Sequence, residues 1–117
     1  MTDSILDSVK LGVNGAASDY TAFDDQFIMH INSVFCILND FGVGPEDGFE
    51  IDSASTKWSD YLEDRKLLNL VKNYMIDKVH LAFDPPSNSV IKQAIVDDAN
   101  EMEWRIIHAV DIKGAME

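Results

Sequence analysis

"RKLLNLVKNYMIDKVHLAFDPP", residues 65–86, decides the fold. Leu67, Leu68, Leu70, Val71, Tyr74, Met75, Val79, Leu81 and Ala82 cover more than half the circumference of a helix. A stripe that wide predicts a central helix packed on two sides, running over 65–83. Asp84-Pro85-Pro86 stops it, because proline has no amide hydrogen to donate and holds the residue before it away from helical conformation.

Upstream, the spacing predicts a helix over 22–41. Phe23, Phe27, Ile31, Val34, Phe35 and Leu38 recur three and four apart and draw one apolar stripe. Thr21 and Asp24 have capping-box spacing, Asp24 and Asp25 suit the positive end of the helix dipole, and Gly42 ends the run. A short first helix is predicted over 4–11, with Ile5, Leu6 and Val9 on one face, Ser4 and Asp7 as its cap and Gly12 as its stop. The segment 13–20 then reads as a loop.

Downstream, Ser87 is the expected cap of a helix over 87–110 whose main stripe is Ile91, Ile95, Met102 and Ile106. Trp104 lies about 200° around from Met102, and Ile107 sits near its face. The late part of this helix is therefore apolar on two faces, and one of them needs a cover: the central helix or a second chain.

Between the two best-defined helices, residues 42–62 are irregular. Gly44-Pro45 and Asp47-Gly48 are turn signals. The alternation at 49–51 predicts a short strand that pairs with 55–58 in a small irregular hairpin, followed by a turn through Tyr61. The expected fold is all-α, a small bundle of about four helices with a hairpin-like loop between the second and third.

The chain has 117 residues, which predicts one domain, 1–117, and 46% of them are hydrophobic. A domain of this size buries about two-thirds of its unfolded surface and needs no metal or disulfide to fold. Cys36 is the single cysteine and has no internal partner. Its place in the second helix predicts a buried, inert thiol, and His30 beside the same stripe predicts a half-buried imidazole. The start is not basic and no apolar run nears the roughly 20 residues of a membrane span, which predicts a soluble chain made in the cytoplasm.

Twenty-one acids against 9 bases give a net charge of −12, spread along the chain. Such a surface repels phosphate backbones. The glycine-rich loop is no phosphate cradle: "GVGPEDG" (42–48) has no lysine and carries two acids where phosphate would sit. No window around Asp47 or Asp52 has calcium-loop spacing. Asp77 and His80 form one acid-x-x-His pair, and Glu101 and His108 share a face, but a di-iron bundle needs two such pairs. No histidine is placed beside Cys36. No catalytic residue, cofactor or metal is predicted.

"ILDSVK", "FDDQFIMHINSVF", "FGVGPEDGF", "KWSDYL", "VKNYMIDKVHLAFDPP" and "EMEWRI" follow one another over nearly the whole chain. In this order and at these separations they resemble the small head–tail connector proteins, also called adaptor or head-completion proteins, of tailed bacteriophages and prophages of Gram-positive hosts. "FDPP" after an apolar helix, with "GVGPEDGF" upstream, is the most specific part. The N-terminal loop, "GVNGAASDYTAF", is longer and more polar than the family pattern.

The resemblance implies an all-helical fold and no catalytic residue. It implies a homo-oligomeric ring of about a dozen copies beneath the portal protein. Such a ring forms part of the DNA channel and receives the next connector or stopper component. DNA passes through it unbound, and no membrane is involved. The expected location is the virion's head–tail interface, reached from the host cytoplasm during assembly. The irregular loop then reads as an assembly surface, with Phe49 and Trp58 as apolar anchors that could equally fold back over the helices. Trp104, Ile107 and Val110 are further interface candidates, and Asp97, Asp98, Glu101 and Glu103 are candidate channel-facing acids. The alternative is a small acidic phage-encoded mimic of DNA that inhibits a DNA-handling enzyme. It accounts for the charge but leaves the apolar late helix and the aromatic loop unused.

Overall fold

The computed structural model describes residues 3–15 and 19–116, with side chains as far as 112. It is all-α. Among the described residues five helices follow in order: α1 (Ile5–Asn14), α2 (Asp24–Asp40), α3 (Trp58–Tyr61), α4 (Arg65–Phe83) and α5 (Ser89–Met116). Among the described residues there is no strand, only a single antiparallel bridge between Ser4 and Lys57.

α4 is the central helix, in contact with α1, α2 and α5. Its width of apolar surface is the cause: Leu67, Val71, Tyr74, Met75 and Val79 are all buried. Asp64 starts it, the carboxylate accepting from the amides of Lys66 and Leu67 at 3.1 and 3.2 Å. The stripe of α2 is buried at Phe27, Ile31, Val34, Phe35 and Leu38, as its spacing predicts.

Four helix ends differ from the expectation. α1 does not stop at Gly12 but continues to Asn14, ending where Gly15 turns left-handed at φ 69°. Gly12 serves helix packing instead, since a Cβ there would meet Cδ1 of Ile76 on α4 at 2.8 Å. Of the expected loop 13–20, Val13 and Asn14 thus belong to α1, and residues 16–18 lie outside the described residues.

α2 begins at Asp24 without the expected Thr21–Asp24 capping box. The Asp24 carboxylate is engaged elsewhere, at 2.8 Å from Nζ of Lys10 on α1. α5 is capped by Asn88 rather than Ser87, its Oδ1 accepting from the amides of Val90 and Ile91 at 2.9 and 3.0 Å. It runs to Met116, past the expected end at 110. At 28 residues it is about 42 Å long.

The expected hairpin between 49–51 and 55–58 is absent, because each segment's backbone is satisfied elsewhere. The side-chain amide of Asn32 on α2 takes both backbone groups of Ile51, donating to its carbonyl at 3.0 Å and accepting from its amide at 2.8 Å. Residues 56–58 pair with the start of the chain: Ile5 N donates to Thr56 O at 3.1 Å, and Trp58 N to Asp3 O at 3.0 Å. The loop is thereby fastened to α2 and α1 rather than to itself.

Candidate assembly surface

The residues expected to mediate assembly lie in different environments. Trp58 is wholly buried, at 0% exposure. It opens α3, whose N-terminus is fixed by the bond from Trp58 N to Asp3 and by the Asp60 carboxylate accepting from Lys57 N at 2.9 Å. This turns the indole inward against Phe35, with ring centroids 6.5 Å apart, and Lys72 Nζ lies 5.7 Å from the ring centroid. Its role as an exposed anchor is therefore corrected: Trp58 is core.

Phe49 is half-buried and folds back over the same cluster, 5.1 Å from Phe35 and 4.9 Å from Tyr61 between centroids. Tyr61 can sit there because Gly44, at φ 85°, has no side chain; a Cβ would come within 2.6 Å of the Tyr61 ring. Burial raises the Tyr61 phenol well above its usual range. Val110 reaches the same loop from α5, its Cγ1 3.4 Å from where a Cβ on Gly42 would stand. Between them opens a cleft of about 470 Å³, floored by Val43, Tyr61, Leu67 and Val110 and edged by Glu63 and Asp64.

Trp104 remains at the surface, 63% exposed. Its indole stacks on the imidazole of His108 one turn later, with centroids 5.1 Å apart and planes 7° from parallel. Ile107 beside it is half-buried. Cys36, expected to be a buried thiol, is exposed on α2, because its position falls outside the Val34–Phe35–Leu38 arc. His30 is half-buried and edge-on to Phe83, 6.3 Å between centroids.

The four candidate channel acids divide into two pairs. Asp97 and Glu101 face solvent: Asp97 accepts from Gln93 Nε2 at 2.9 Å, and Glu101 pairs with Arg105 at 3.7 Å. Asp98, exposed like them, and half-buried Glu103 also act on α4. Burial first, and then Asp98, push the carboxyl of Asp77 up to about 8. Burial and then Glu103 push the Tyr74 phenol up to about 12.

Two features escaped the sequence reading. Lys10 is 1% exposed and ion-paired with Asp24; its position one turn after Leu6 and next to Val9, at the edge of the apolar face of α1, was the available signal. Asp77 sits one turn from Tyr74 and from Leu81, a carboxyl among the apolar residues of the central helix.

Among the described residues no three His, Cys, Asp or Glu side chains converge as metal ligands, and no helix is long and apolar enough to cross a membrane. No curated protein and no solved structure matches the chain. The sequence family described as phage connector protein matches residues 5–113, from the first residue of α1 into the last turns of α5. With all of the bundle but the last residues of α5 inside that match, the chain belongs to the family of phage connector proteins.

Proposed function

We propose that the protein is a ring-forming subunit of the head–tail connector. It is seated beneath the portal, receives the next connector component and lines part of the DNA path. The family supplies the structural role in the virion. The observation that carries the docking part is Trp104, a large aromatic left 63% exposed on the longest helix and stacked on His108. Such aromatics supply much of the energy of protein interfaces at low entropic cost.

The test is recruitment of the purified protein to its cognate portal rings, followed by electron microscopy and by affinity measurement. Trp104→Ala is expected to weaken association by about 2 kcal/mol, roughly thirtyfold, with the thermal midpoint unchanged. Unchanged affinity would remove Trp104 from the interface, and no recruitment of the wild type would remove the portal as partner.

The DNA part rests on charge. A net charge of −12 opposes a polyanion, and Asp97 and Glu101 put carboxylates on the solvent side of α5. A wall with this sign has no attractive phosphate contacts to break as DNA slides past. No duplex DNA is expected to bind even at low ionic strength, where screening is weakest. A salt-sensitive gel shift of the wild-type protein would contradict the repulsive wall.

A further inference from the structure

α1, α2 and α4 all contact one another, whereas α5 packs on α4 and makes no comparable contact with α1 or α2. Its well-covered residues are Ala99, Met102 and Ile106. Towards its N-terminus Val90 and Ile91 are 76% and 53% exposed, so that half of α5 has little apolar grip.

Where the covered stretch begins, Asp98 of α5 meets Asp77 of α4. Oδ2 of Asp77 is sealed from solvent and has no hydrogen-bond donor. Two ionised carboxyls facing each other offer only acceptors, so a single proton supplies the missing donor. We propose that the α4–α5 seam is a proton-dependent latch: one proton held between Asp77 and Asp98 keeps the N-terminal half of α5 on α4, and its loss releases that half.

The other charged groups nearby do not replace that proton. On α4 itself, Lys78 lies over the Tyr74 ring, 6.0 Å from its centroid, and His80 follows Asp77 by one turn. On α5, Glu103 bears on Tyr74, and Glu101 pairs with Arg105. From α1, Lys10 is drawn to Asp24, and from α2, His30 lies against Phe83. Asp98 is thus the charge that acts on Asp77, and it shares its sign.

The direction of the pH dependence follows. Asp77 loses its proton near 8 in the folded chain, against about 4 for an unburied carboxyl. Between those values the folded state holds a proton that the unfolded state has released, so stability falls as pH rises through the window. The fall ends once the folded carboxyl has ionised.

Hydrogen exchange of the full chain, corrected for intrinsic rates, reads the latch directly. From about pH 6 to about pH 8, protection of the 89–98 amides is expected to fall about tenfold per unit and then to level off, while the α2 amides keep theirs. Asp77→Asn and Asp98→Asn each place a permanent amide donor in the seam and are expected to flatten the profile. Wild-type protection that stays level across the range overturns the latch. So does a loss shared by α2, or a pH-dependent loss that persists in both variants.

Discussion

Trp58→Ala is expected to destabilise the fold by about 3–5 kcal/mol, much of the stability of a small domain. The side chain is 0% exposed, and truncation leaves a cavity beside the cluster of Phe35, Phe49 and Tyr61. It also removes the ring beneath the Lys72 ammonium. Trp58→Phe should cost far less. The indole Nε1–H is buried without an acceptor, so phenylalanine removes an unsatisfied donor whose burial costs about 1–3 kcal/mol while keeping most of the apolar volume. Urea unfolding of both variants is the check. If Trp58→Ala keeps the wild-type midpoint and loses only portal affinity, the indole is an interface anchor and its inward placement is wrong.

That residue also shows where the sequence stops being readable. An aromatic in an irregular segment carries no period, and the spacing of Trp58 cannot say which way its ring points. The direction comes from the backbone bond between Trp58 and Asp3, residues more than fifty positions apart. The absent hairpin has the same origin. Alternation at 49–51 correctly marks an extended segment with backbone groups to satisfy, but their partner is the Asn32 amide on α2. Where period exists, the outcome is different: α2 and α4 were legible because long apolar stripes fix both the element and its buried face. Helix ends were less so, since the side chains that could cap them also have tertiary partners, as Asp24 does.

The candidate site was legible only in part, for a related reason. A run of acids on one helix looks like one surface until its neighbour is known. Asp97, Asp98 and Glu101 are all exposed, yet Asp98, like half-buried Glu103, also bears on α4 across the seam, at Asp77 and Tyr74 respectively. Trp104 was identifiable because its angle from Met102 sets it apart from the covered stripe, and it remains exposed.

The second large effect is expected at the start of α2. Lys10 is 1% exposed, and its ammonium stands 2.8 Å from the Asp24 carboxylate, which is 23% exposed. The contact is an ion pair outside good hydrogen-bonding geometry, because that carboxylate oxygen has no hydrogen-bond partner. Asp24→Ala takes this carboxylate from beside the buried ammonium, a change that costs about 3–5 kcal/mol in comparable pairs. The partners are not equivalent. Lys10→Met keeps an apolar stem of similar length, and the Asp24 carboxylate left behind has some water and the positive end of the α2 dipole to stabilise it. Lys10→Met is therefore expected to cost less than about 1.5 kcal/mol, as volume-conserving core changes do. In the double variant no buried charge remains, so Lys10→Met should recover most of what Asp24→Ala loses. A denaturation cycle over the four proteins measures the coupling between the two sites. Equal losses for the two single variants, simply adding in the double, would show that the pair does not fasten α1 to α2 through charge.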